Sequence, residues 1–185
     1  MIQVNSLFRS EEEKLFNIWC DELKVNGYID DYFYEPEITE ITPKQETCIS
    51  IKNKNKCTFL MHPLTYKYDF KILWNEKAKN IFYNNMDDNN YTKNCYFKCL
   101  YDISLVDVKG AYTHKDRVTD ISFPLIQKVL YFYRDIYVQK VVPIKLFEKT
   151  FAPLTYLLDD NIYKVGTKKG TNKKNLLNLE TYVTN

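Results

Sequence analysis

The stretch Leu105–Gly110 reads LVDVKG, and Asp107 and Lys109 are its chemically capable residues. Side chains along a strand alternate with period two, so this acid and this base point to one face. Such a pair is either a surface ion pair or half of a reactive site. Upstream, TYKYDF sets Asp69 between Tyr68 and Phe70. An acid in aromatic company is costly to bury unless something pairs with it. Glu11–Glu13 supply a third source of carboxylate. Carboxylates from a helix and two neighbouring strands suit Mg2+, a hard cation that takes oxygen ligands and keeps several waters. A lysine beside such a site can orient a nucleophilic water or offset charge building on a phosphate.

The elements that must position these residues follow from periodicity. Ser10 before Glu11–Glu13 is a helix start, with a capping serine, acids at the positive end of the dipole and Glu13 at the capping-box position. Leu15, Ile18, Trp19 and Leu23 recur at helical spacing and Gly27 ends the run, which predicts a helix over 11–25. Alternation and β-branched residues over 32–51 predict one or two strands, and Lys52–Lys56 (KNKNK) a turn. A strand pair is expected around 57–61 and 66–74, with Pro63 between. The segment 75–94, rich in Asn, Asp and Lys, reads as an insertion or hairpin tip, and 96–108 as one long strand ended by Gly110. A polar loop, AYTHKDRVTD, leads to a second helix over about 123–133, with Pro124 in its first turn. A buried strand at 136–142, a short helix at 145–151 and a loose tail after 160 complete the chain. Helix, strands, helix, strand predicts an α/β class with a mixed central sheet flanked by helices.

At 185 residues, 45% hydrophobic and 16% aromatic, the chain is expected to form one domain with a substantial core. A formal charge of +2 does not by itself announce a nucleic-acid binder. Charge is unevenly spread: 161–175 holds Lys164, Lys168, Lys169, Lys173 and Lys174 without an acid, while 30–40 is acidic. That basic end either meets phosphates or is simply solvated. Five cysteines without short paired spacing read as free thiols of a reducing cytoplasm, not as structural zinc ligands. His62 and His114 lack metal-ligand spacing to each other, and His62 reads as structural. No leader pattern is expected, and no apolar run approaches the ~18 residues that a membrane span needs.

On Asp69, Asp107 and Lys109 the chain resembles the PD-(D/E)xK nucleases, whose first acid, second acid and lysine these would be. FRSEEEK resembles the FRS-x-x-E helix entry of phage endonuclease I-type Holliday-junction resolvases, TYKYDF their TYTPDF segment, and VDVKG their VETKG. The likeness thins out after about residue 145. Tyr68 stands where the family usually has proline, and the long interval from Asp69 to Asp107 requires a loop insertion near 75–94. The resemblance implies a restriction-endonuclease-like core (αβββαβ) over 1–160, with 161–185 as a basic C-terminal tail. It implies Mg2+-dependent (or Mn2+-dependent) hydrolysis of DNA phosphodiesters at branched DNA, with one or two ions per site and a 5′-phosphate product. A homodimer is implied too, since two symmetric cuts need two sites.

Site roles come from the same resemblance. Asp69 and Asp107 would hold metal together with the Val108 backbone carbonyl, Glu13 would hold a second ion or a coordinating water, and Lys109 would orient the attacking water. Counting from FRS falls on Glu13. Helical phase sets Glu12 nearer the centre of the Leu15–Trp19–Leu23 face, where an acid is costly, so Glu12 stays in reserve. Arg9, His114, Lys115, Arg117, Lys168 and Lys169 are candidate DNA-binding residues. Gln127 and Tyr131, at i and i+4, resemble the Q-x-x-x-Y element of RecB-type exonucleases, which leaves an end-processing enzyme as an alternative. A non-catalytic DNA-binding or assembly subunit is another, although a complete acid–acid–lysine set argues against a retired site.

Overall fold

The computed structural model describes residues 8–51, 54–87, 95–110, 117–158 and 173–184, without the side chains of 51, 117–121 and 174. The first helix, α1 (Glu11–Val25), has the expected bounds. Ser10 Oγ accepts from Glu13 N at 3.1 Å. At the other end Gly27, at φ +72°, takes the left-handed position that glycine adopts without strain. Tyr28 N then bonds to Leu23 O and Gly27 N to Lys24 O, which closes the helix in a Schellman turn.

The chain continues through β1 (Ile29–Tyr34), β2 (Ile38–Thr42), β3 (Gln45–Ile51), β4 (Lys54–Met61), β5 (Leu64–Lys67) and β6 (Phe70–Trp74). A 3-10 turn at Glu76–Ala78 precedes β7 (Tyr83–Asn85), β8 (Phe97–Cys99) and β9 (Ile103–Val108). Then come α2 (Arg117–Arg134), β10 (Val138–Val141), α3 (Pro143–Lys149), α4 (Leu154–Leu158), a 3-10 turn at Lys173–Asn175 and α5 (Leu179–Thr184). The central sheet has the order β1-β6-β9-β10. Its first three strands are antiparallel and β10 runs parallel to β9. The fold is therefore mixed α/β, with α1 and α2 on opposite faces of a mixed sheet. Phe70, Ile72, Trp74, Val106 and Val108 pack toward α1, where Trp19 lies 5.4 Å from the Phe97 ring and 5.5 Å from Phe151. Leu130 and Phe123 of α2 cover Val138, Tyr68 and Ile41 on the other side.

Several expectations need correction. The long strand at 96–108 is two strands, because Tyr101 and Asp102 both take positive φ and turn the backbone. β8 thereby leaves the sheet to pair with β7. The described part of 75–94 is no bare loop: Phe82 and Tyr83 are fully buried. Residues 57–61 pair with β3 instead of with 66–74, so β2–β5 and β3–β4 form an arm. α2 starts before Phe123 and runs through Pro124, which forgoes one helical hydrogen bond there. The tail after 160 is not loose at its end: Leu179 is buried, and Tyr182 meets the Phe82 ring at 5.4 Å. Cys48 and Cys57 are opposite in the β3–β4 register and form a disulfide, so free thiols hold only for Cys20, Cys95 and Cys99. Among the described residues no helix is long and apolar enough to cross a membrane.

Candidate functional site

The end of the central sheet gathers Asp69, Asp107 and Lys109. β5 and β6 are separated by Tyr68 and Asp69, yet Asp69 stays tied to both neighbours: its N–H donates to Val106 O at 2.9 Å and its carbonyl accepts from Glu35 N at 2.7 Å. Its carboxylate reaches one residue further along β9, where Oδ2 accepts from Val108 N at 2.7 Å. A side chain thus replaces the ladder bond that the broken strand cannot make. Asp107 is 4% exposed and alternates with the core-facing Val106 and Val108. Lys109 continues the β9–β10 pairing through its N–H to Val141 O at 2.8 Å. Its Nζ lies 2.7 Å from Asp107 Oδ2. That is an ion contact outside hydrogen-bond geometry, and the buried Oδ2 accepts no hydrogen bond.

Electrostatics follow from crowding. Burial first, and the Asp107 charge second, push the Asp69 carboxyl up to about 7, against the Val108 N–H and the Lys109 ammonium, which favour its ionised form. Tyr66, which lies in TYKYDF but has no role in that motif, faces the pair. Its hydroxyl is pushed well up by burial and then by the Asp107 charge, with a hydrogen bond to Asp107 adding to it. Alternation could not have placed Tyr66, because the break at Tyr68 and Asp69 resets the strand phase between β5 and β6. The aromatic run TYKY ahead of the acid was the available signal.

The helix acids divide. Glu13 is buried, at 7% exposure, while Glu12 is only half-buried, which reverses the burial order that helical phase suggested. Burial is supportable because Glu13 Oε2 accepts from Tyr34 Oη at 2.7 Å and from Arg9 N at 2.8 Å. Glu13 still bears on Asp69 by charge. Glu12 reaches the catalytic-candidate strand instead: a Cβ on Gly110 would sit 3.1 Å from Glu12 Oε1. Glycine there admits the carboxylate close to the backbone.

Arg9, one of the candidate DNA contacts, is 68% exposed and pairs with Glu35 Oε1 at 2.6 Å, and Lys67 holds Glu35 Oε2 at 2.5 Å. His114, Lys115, Lys168 and Lys169 lie outside the described residues, as does the side chain of Arg117. Gln127 is spent structurally, since Nε2 donates to Val138 O at 2.6 Å and fastens α2 to β10, while Tyr131 is exposed.

The donor set fits a divalent cation at two carboxylates. Asp107 Oδ2 faces the Lys109 ammonium while a second acid, Asp69, stands beside it, and two carboxylates so close favour a further cation. Among the described residues no group of three or more His, Cys, Asp and Glu makes a preformed metal cluster. No protein family, curated protein or solved structure matches the chain.

Proposed function

We propose that this chain is a metal-dependent deoxyribonuclease of the PD-(D/E)xK type, cutting branched DNA in the manner of phage endonuclease I-type resolvases. The observation that carries the reading is the buried Asp107, ion-paired with Lys109 and set beside Asp69 at the end of one sheet. The order helix, three antiparallel strands, helix, parallel strand supports a restriction-endonuclease-like core. Gln127 is committed to the β10 backbone, which weighs against the exonuclease alternative.

In this reading Asp69 and Asp107 would hold Mg2+, with the Val108 carbonyl as a further oxygen donor. The bound ion would polarise the phosphate and lower the pKa of water. The Val108 N–H fixes the Asp69 carboxylate, and Tyr66 orients Asp107 from the arm side of the sheet. Lys109 stands at the rim with its side chain 31% exposed, where its ammonium orients the attacking water and offsets charge on the phosphate. Glu13 is a positioning residue that ties the start of α1 to Tyr34, and Glu12 is the helix carboxylate nearer the strand of Lys109.

The test is cleavage of labelled four-way junction, linear duplex and single-stranded DNA in Mg2+. Asp107→Ala and Lys109→Ala each lower the rate by roughly 100-fold or more, with the circular-dichroism melt retained. Paired junction cuts lost in both variants are the expected result. Cleavage that survives both substitutions, or no metal-dependent cleavage of any substrate, would sink the proposal.

A further inference from the structure

The arm that leaves the sheet has no place in the site described so far. Its outer part, β3 and β4, is exposed at every position whose side chain is described. A two-stranded hairpin is marginal by itself, and here the Cys48–Cys57 disulfide braces it. Cross-strand partners share a face. Thr47 opposite Thr58, and Ile49 opposite Lys56, therefore lie on one face with Lys54. The disulfide lies on the other, with Ser50 opposite Asn55 and Glu46 opposite Phe59. Lys44 pairs with Glu46, whereas Lys54 and Lys56 have no ion-pair partner among the described residues.

We infer that the Lys54–Lys56–Thr47–Thr58 face of this arm binds DNA, lying in a groove of the duplex that flanks the cleavage site; the inference rests on the nuclease reading for its substrate. Charge complementarity selects the occupant: residues 44–62 contain four lysines and one glutamate, against a polyanion with a charge every ~1.7 Å of axis. Shape agrees, because the major groove, about 12 Å wide, admits a two-stranded ribbon. Ammonium groups suit phosphates and guanine edges, and the threonine hydroxyls and methyls suit base edges. The arm is continuous with the site, for β4 runs through β5 to Asp69. Lys56 and Asp69 are 13 positions apart. At about 3.3 Å per residue the contact lies within roughly 43 Å of the candidate site, little more than one ~34 Å turn of duplex.

The test compares full-length wild type with Lys54→Ala/Lys56→Ala, both surface positions, by fluorescence anisotropy on duplex DNA in EDTA over a salt series. In the double variant Kd rises about tenfold near 0.1 M salt, and the slope of log K against log salt falls in magnitude by roughly 1.8, for two phosphate contacts. Lys54→Arg/Lys56→Arg restores both. Unchanged Kd and slope with Mg2+ cleavage intact overturns the arm inference and leaves the nuclease reading standing. The expected binding loss in a protein that cuts no DNA keeps the arm as a DNA element and removes the nuclease. Failure of the wild type to bind DNA overturns both. A dimer seen by ultracentrifugation and lost in the double variant, with DNA affinity unchanged, assigns the face to a second copy and overturns the inference.

Discussion

Asp69 lies beside Asp107 under partial cover, and its carboxyl is pushed from 3.8 up to about 7. Between pH ~4 and ~7 the unfolded chain ionises Asp69 while the folded chain keeps its proton. The folded state binds more protons there, so stability falls as pH rises through that window and levels off above pH ~7. Asp69→Asn removes the charge and keeps an acceptor for Val108 N. In EDTA the variant should match wild type near pH 4 and exceed it at pH 8 by about 1–3 kcal/mol after solvent screening, or roughly 2–12 °C in Tm. Thermal melts between pH 4 and 8 measure this, and a difference that does not change with pH refutes it. Asp69, Asp107 and Lys109 were legible in the sequence because local alternation and order along the chain suffice to bring them together. Tyr66 was not, since it reaches the site across the strand break at Tyr68 and Asp69, which alternation cannot show.

At the scale of elements, α1 was readable to the residue because its cap, its apolar face and its terminating glycine agree. The segment after β6 misled for the opposite reason. Its density of Asn, Asp and Lys signals loop, while burial is concentrated in Phe82 and Tyr83. Phe82 stacks on Trp74 at 6.4 Å and meets Trp19 at 6.1 Å and Phe151 at 5.9 Å, so it fills a gap between α1, the sheet and the segment after α3. Phe82→Ala should therefore cost about 3–5 kcal/mol, the usual toll of a large core truncation. Denaturant melts at fixed m-value read that loss directly. A cost below about 1 kcal/mol would return the segment to a detachable insertion.

Across the whole molecule, the sequence divides into a domain and a basic tail, whereas the last residues close the core. Ala152 N donates to Leu177 O at 2.8 Å, Leu179 is buried, and Tyr182 Oη donates to Ile81 O at 3.2 Å while its ring covers Phe82. Lysine density dominated the reading of 161–175, and the sparse apolar residues beyond it gave no period long enough to register. α5 has six residues, too few to stand as a helix without the packing that holds it. Ending the chain at Asn175 uncovers Phe82, breaks the Ala152–Leu177 hydrogen bond and removes one buried leucine, a loss of about 3–5 kcal/mol. For a domain of this size that is a fall of roughly 6–20 °C in Tm, read by calorimetry. An unchanged Tm would mean that the C-terminal helix is an appendage after all. A large fall would mean that α1 and α5 are clamped on one aromatic cluster behind the sheet whose inner strand β9 carries Asp107.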